Sequence, residues 1–175
     1  DFKAFLEMVR ANPGKLNYGS AGSGTSHHLA GELFKIQSKT DITHIPYKGA
    51  GPALQGLLAG DVDMMFDGLG SSAQHIKSGR LNALMVAGSV RNPAIPEVPS
   101  AAELGFADYN VTTWYGIWAP KGTPPEAQAR MLAEIKKLPL DALIKDGWAA
   151  NGAEFPALTG TDFGAFVNSE IKRWA

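Results

Sequence analysis

Apolar positions along the chain change period several times, and each change marks an element. Phe2, Phe5, Leu6 and Val9 recur at i, i+3, i+4 and i+7 until Asn12-Pro13-Gly14 breaks the pattern, which predicts a short amphipathic helix with Asp1 as its N-cap. Lys15 to Tyr18 reads as a short strand. The glycine- and serine-rich stretch Gly19-Ser20-Ala21-Gly22-Ser23-Gly24-Thr25-Ser26 follows, and Leu29, Leu33 and Ile36 then return to helical spacing. Ile42 to Tyr47 is β-branched and alternating, a second strand, and leads into Lys48-Gly49-Ala50-Gly51-Pro52, a turn whose proline suits the first turn of a helix. That helix carries Leu54, Leu57 and Leu58 on its apolar face and ends at Gly60. Asp61 to Asp67 alternates, with Val62, Met64 and Phe66 on one side, as a buried strand does. After a loop at Gly68-Leu69-Gly70-Ser71 and a helix around Ser72 to Lys77 closed by Gly79, the run Leu81 to Val90 is almost wholly apolar, the signature of a central parallel strand.

Strands alternating with helices as far as residue 90 predict an α/β domain with a largely parallel sheet. The rest is built differently. Arg91 to Pro99 carries three prolines in nine residues and must be extended loop. Ser100-Ala101-Ala102-Glu103 is a capping box opening a helical turn that Gly105 closes. Asn110 to Ala119, with Val111, Thr112, Thr113, Trp114, Tyr115, Ile117 and Trp118, is the strongest strand signal by β propensity. Thr123 as N-cap, Pro124 at N1 and Glu126 at N3 then predict a helix running to about Lys137. A helical turn at Asp141 to Lys145 and an amphipathic helix with Phe163, Phe166, Val167, Ile171 and Trp174 on one face complete the chain.

Composition removes several function classes. Among 175 residues, 16 Lys+Arg stand against 17 Asp+Glu, so no global positive charge exists to hold a polyanion and no nucleic-acid partner is expected. The absence of cysteine excludes disulfides, zinc ribbons and thiol catalysis, and is compatible with a reducing or an oxidising compartment. The apolar run at Leu81 to Val90 is about half the roughly 20 residues that span a bilayer. His27, His28, His44 and His75 include no i, i+4 pair for a helical metal site, and no cofactor is implied.

The glycine-rich loop lies where a strand feeds a helix, a place where backbone N–H groups and the helix dipole favour an anion. It is not a Walker A loop, because Thr25 stands where the phosphate-binding lysine belongs. A dinucleotide fingerprint fails at His27, and a nucleophile elbow fails for lack of glycines two before and two after Ser20 or Ser23. Two readings stay open. Ser20, Ala21, Gly22, Ser23 and Gly24 let a carboxylate or phosphate approach the backbone while Ser20, Ser23, Thr25 and Ser26 offer hydroxyls; or the stretch is a flexible turn capping the next helix. Tyr47-Lys48-Gly49 is a second strand end, offering one cation, although on these residues alone a solvated turn is the favoured reading. Asp67 beside Gly68 is a third. In open α/β sheets ligands lie beyond the carboxyl ends of strands, so the ends at Tyr18, Tyr47 and Phe66 are expected to converge on one edge. Asp61 and Asp63 are read as solvated, and Trp114 and Tyr115 as core or as the wall of a cleft.

Taken together, Tyr18 to Phe34, Ile45-Pro46-Tyr47-Lys48-Gly49 and Gly60-Asp61-Val62-Asp63-Met64-Met65-Phe66-Asp67 closely resemble the Bug, or TctC, family, the extracytoplasmic solute receptors of tripartite tricarboxylate transporters. The resemblance continues through Ile76 to Leu81, Pro99 to Gly105, Trp114 to Pro124 and Glu170 to Trp174, and is weakest between Leu138 and Thr161. It implies a type 2 periplasmic-binding-protein-like α/β fold, whose two lobes close on a small mono- or dicarboxylate. It also implies a periplasmic location, membrane permease subunits as partners and no enzymatic activity. By the same resemblance the loop matching Gly19 to Thr25 binds a ligand carboxylate through amides and hydroxyls, and Tyr47, Lys48, Gly49 and Asp67 line the cleft; His28, from its own position at a helix N-terminus, is read as a polar residue reaching the ligand and not as a metal ligand.

Family members also carry a signal peptide and a first-lobe segment that this sequence does not contain. The expectation is therefore that residues 1–108 form the second lobe, that 109–175 return into the first, and that Asp1 marks an internal cut. An apolar strand such as Val111 to Trp118 without neighbours is an exposed edge, and pairing with another copy as a homodimer is expected there. Two rival functions remain: a hydrolase using Ser20 or Ser23, which needs a base beside that serine, and a sensor passing ligand state to a signalling partner.

Overall fold

Asp1 caps the first helix, its carboxylate accepting the Ala4 N–H at 2.9 Å, and α1 (Phe2–Ala11) delivers Phe2 and Val9 to the core. In the computed structural model, residues 1–155 and 158–175 are described. They form two compact units, Asp1–Tyr115 and Gly116–Ala175.

The first unit is built on a parallel sheet in the order β2-β1-β3, with β1 (Asn17–Ser20) between β2 (Thr43–Pro46) and β3 (Met64–Met65). Tyr18 stands opposite His44 on one side and Met64 on the other. Parallel neighbours require crossovers. These are α2 (Ser26–Ser38) and α3 (Ala50–Ala59), and α4 (Leu69–Lys77) follows β3. The core centres on α2. Phe34 is fully buried, with the rings of Phe2, Phe5, Phe66, Phe106 and Tyr109 at centroid distances of 5.4 to 6.4 Å. The buried Tyr109 hydroxyl donates to the Ala30 carbonyl at 2.9 Å, fixing a distant segment to the same helix.

Several local expectations hold. Gly60 (φ +84°) ends α3, and Gly79 (φ +73°) follows the end of α4. The capping box is reciprocal: Ser100 N–H donates to Glu103 Oε2 at 2.8 Å, and Glu103 N–H donates to Ser100 Oγ at 3.3 Å. Arg91 holds the same carboxylate through Nε and Nη2 at 2.9 to 3.0 Å, and this pairing pulls the Glu103 carboxyl down to about 2. Asp63 does more than meet solvent, since its Oδ2 accepts the Asn17 N–H at 2.8 Å while its own N–H donates to Asn17 Oδ1 at 3.1 Å.

Others are corrected. Among the described residues, Leu81 to Val90 is no central strand; its one bridge joins Val86 to Ser100. The run is apolar because Leu84, Met85 and Ala87 pack against the core, and burial alone does not supply a ladder. The strand expected over Asp61 to Asp67 shrinks to Met64–Met65, although Val62 is buried. Asn110 to Ala119 forms no strand: Val111 N–H reaches Ala87 O at 3.2 Å, and Tyr115, Ile117 and Trp118 are exposed.

In the second unit α5 (Pro125–Ile135) begins one residue later than expected, because the Thr123 hydroxyl donates to Pro120 O at 2.8 Å and does not cap. The turn expected at Asp141 is the start of a full helix, α6 (Ala142–Ala150), with Asp141 accepting the Ile144 N–H. α7 (Gly160–Trp174) is the expected amphipathic helix, with Phe163 against Trp118 at 5.5 Å.

Candidate functional site

The three strand ends meet. Tyr47 N–H donates to Ser20 O at 3.0 Å and Gly49 N–H to Ala21 O at 3.1 Å, so the loops after β1 and β2 run side by side. Asp67, two residues after β3, lies with Oδ1 at 3.6 Å from Nε2 of His27 in the first turn of α2. Ser71 donates to Asp67 Oδ2 at 2.7 Å. Asp67 Oδ1 and His27 Nδ1 are buried without a hydrogen-bond partner among the described residues.

The loop itself is folded on its own polar groups. Ser20 is wholly buried and its Oγ accepts the Gly22 N–H at 3.1 Å. Thr25 caps α2, accepting the His28 N–H at 3.5 Å while its hydroxyl donates to Gly22 O at 2.7 Å. Gly24 N–H donates to His28 Nδ1 at 3.1 Å. Four amides are left, those of Ala21, Ser23, Ser26 and His27, which take no hydrogen bond among the described residues; the last three lie at the tip of the loop and the start of α2. Ser23 and Gly24 are exposed, as is Lys48, whose ammonium makes no ion pair among the described residues. The Tyr47 ring sits against Gly19 and Gly56, so it is the backbone of Tyr47 that joins the loop. Thus Ser20, Ala21, Gly22, Ser23, Gly24 and Thr25 share one loop, His28 in the first turn of α2 is bonded to it as are Tyr47 and Gly49, and Asp67 comes beside it at His27.

Sequence reasoning missed His27 and His44 as parts of this arrangement. His44 Nε2 lies 2.6 Å from Ser20 Oγ, and its ring stacks on His28 at 4.1 Å and on Tyr18 at 4.9 Å. The Tyr18 hydroxyl donates to Glu32 Oε1 at 2.8 Å. The only available signal was alternation in the second strand, which puts His44 on the same side as Ile42 and Pro46. A Ser20–His44 contact has the residue types of a nucleophile and its base. Here the hydroxyl is sealed from solvent and occupied by the Gly22 amide, so no substrate reaches it.

Burial pushes the pKa of His27 down against the opposing pull of Asp67, and pushes that of His44 down with the help of His28. Both rings therefore resist protonation in the folded state. An unfolded histidine titrates near about 6.5, so below that pH the unfolded chain binds protons that the native one does not, and stability falls with pH. Glu103, held down to about 2, adds a second loss as pH falls below the ordinary carboxylate range. Urea unfolding midpoints are expected to drop between about pH 7.5 and 5.5, before any carboxylate is protonated. A flat midpoint across that interval contradicts the desolvation of the buried His27 and the half-buried His44.

Among the described residues no cluster of three His, Asp or Glu side chains is placed to hold a metal, and no helix is long and apolar enough to cross a membrane.

Residues 1–175 match the family described as tripartite tricarboxylate transporter family receptor. A Pseudomonas sp. protein from the tcbD-tcbE intergenic region is 46% identical over 78% of this chain and 41% of its own length. Protein BugT of Bordetella pertussis is 34% identical over 98% of this chain and 53% of its own. The chain thus spans about half the length of these curated relatives. Among solved structures, a periplasmic transporter superposes with TM-score 0.93 at 37% identity, covering 99% of this chain and 58% of that one. A Rhodopseudomonas palustris protein with adipate gives 0.92 at 30% (98% and 57%), and MatC from the same organism with bound malate gives 0.91 at 31% (99% and 60%). The fold is that of the periplasmic binding proteins.

Proposed function

The chain belongs to the TctC family of tripartite tricarboxylate transporter receptors, and from that premise we propose that it is part of a solute-binding receptor for a small mono- or dicarboxylate. The observation that carries this reading is the joining of three strand-end loops through Tyr47 N–H to Ser20 O, Gly49 N–H to Ala21 O and the His27–Asp67 contact. On this reading the ligand carboxylate lies against the free amides of Ser23, Ser26 and His27 at the start of α2. Lys48 adds the cation and Asp67 closes the third side. Local dipoles and one lysine suffice for a small anion, which is why the near-zero net charge of the chain is no obstacle. The malate and adipate held by two structural relatives support the ligand class.

The receptor would act in the periplasm and hand its ligand to membrane permease subunits. Residues 1–108 belong to one lobe and 109–175 to the return into the other. The exposed Tyr115, Ile117 and Trp118 support a homodimer contact through that segment, to be checked by sedimentation at several concentrations.

Calorimetric titration of the full-length protein with a panel of mono- and dicarboxylates, malate and adipate included, tests the reading. Lys48→Ala should weaken binding about tenfold, the value of a charge-assisted hydrogen bond, and Ser23→Ala by a few-fold. If both variants bind an identified carboxylate as tightly as wild type, the site lies elsewhere.

A further inference from the structure

Beneath the ligand loop lies a polar cluster that the proposed binding contacts do not use. It runs from the second strand to the loop's tip. His44 Nε2 lies 2.6 Å from Ser20 Oγ, and that Oγ accepts the Gly22 N–H at 3.1 Å. The His44 ring stacks on that of His28 at 4.1 Å with 21° between the planes, and His28 Nδ1 accepts the Gly24 N–H at 3.1 Å. Each imidazole therefore holds one glycine amide of the loop, His28 directly and His44 through Ser20.

We propose that His44 is a positioning residue for ligand binding: with His28 it sets the shape of the Ser20–Thr25 loop, and the arrangement holds only while the His28 ring is uncharged. This rests on the reading that the loop receives the ligand. The hydrogen bond from Gly24 requires the uncharged state of His28. A ring nitrogen that accepts a hydrogen bond cannot also carry a proton, so Nδ1 of His28 must be bare to hold Gly24. The neutral tautomer with its proton on Nε2 fits the other side, because Glu32 Oε1 lies 4.0 Å from that nitrogen. A second proton has to go onto Nδ1, where it meets the Gly24 N–H donor to donor. Charging His44 as well would set two cations face to face at ring-stacking distance.

The groups facing the pair are few. Tyr18 stacks on His44 at 4.9 Å and gives its hydroxyl proton to Glu32. Lys35 lies 3.0 Å from Glu32 Oε2, so the one carboxylate that favours imidazolium is already shared with a phenol and an ammonium. Burial and His28 both disfavour the charged form of His44. Acid is thus expected to loosen the loop, and with it the hold on a carboxylate.

The test reads the loop without any ligand, so that it stands apart from the assignment of the site. NMR spectra of the full chain are recorded from about pH 8 to about pH 5, following the imidazole resonances of His28 and His44 and the amides of Gly22 and Gly24. The two amides should shift with the midpoint of the His28 ring. In the double variant His28→Asn/His44→Gln, whose amides can replace the hydrogen bonds but carry no charge, they should stay in place across the same range. Amides that stay still while the wild-type rings titrate overturn the proposal, as does an identical shift in the double variant. Calorimetry with malate or adipate then adds the ligand: loop amides that follow the rings while affinity does not change with pH leave the pair's hold on the loop intact and sink the ligand-loop reading instead.

Discussion

Phe34→Ala is expected to lower the unfolding free energy by about 3–5 kcal/mol, a large share of the roughly 5–15 kcal/mol available to a domain. The reason lies in how many groups lean on this one ring. Phe34 is 1% exposed and meets five aromatic side chains from α1, from the segment after β3 and from the segment around Phe106 and Tyr109. Truncation removes the transfer energy of the ring and leaves a cavity whose walls are themselves rigid rings, so collapse recovers little. Phe34→Leu keeps most of the volume and should cost less than half as much. Urea unfolding of the two variants beside wild type reads the difference, and a loss below about 1 kcal/mol for the alanine variant would show that the core is not centred here. The functional consequence follows from placement: α2 carries the candidate ligand loop at its N-terminus, so loosening Phe34 loosens the base on which that loop stands.

What was legible in the sequence is what is decided locally. The Asp1 cap, the Ser100–Glu103 box and the stop at Gly60 each rest on hydrogen bonds or backbone geometry spanning a few residues, and each is present. The glycine- and serine-rich loop could be placed for the same reason. Pairing is not local. The apolar run Leu81 to Val90 reports that it is buried, not that a ladder is waiting for it, and Asn110 to Ala119 has the residues of a half-buried sheet surface with no strand beside it among the described residues. The histidines beneath the loop were hidden by the same non-locality. His44 is 24 residues from Ser20, and what brings them together is the parallel register that sets Tyr18 opposite His44 and Ser20 opposite Pro46. His27 read as the wrong residue for a dinucleotide fingerprint and as half of an adjacent pair unsuited to a metal, because its partner Asp67 comes from the end of β3, far away in the sequence.

Gly22→Val should abolish most of the carboxylate binding while leaving the fold in place. The residue holds φ +132°, outside the range open to a β-branched side chain, and a Cβ there would stand 3.3 Å from the Tyr47 carbonyl oxygen. Its backbone is also fully used: the N–H goes to Ser20 Oγ, and the carbonyl accepts from the Thr25 N–H at 3.3 Å and the Thr25 hydroxyl at 2.7 Å. Valine can therefore be accommodated only by strain of about 1–3 kcal/mol or by turning the peptide and breaking these bonds. The second route moves the amides of Ser23 and Ser26 away from their present positions, so affinity for an identified carboxylate should fall at least tenfold, about 1.4 kcal/mol. Gly51→Ala provides the control, since an added Cβ there meets nothing within 4 Å and φ is not positive; it should bind as wild type does. Calorimetry and urea unfolding on both variants separate the outcomes. A Gly22→Val protein that binds normally would remove the loop from the site, whereas one that has lost several kcal/mol of stability along with binding would show that the loop serves the fold before it serves the ligand.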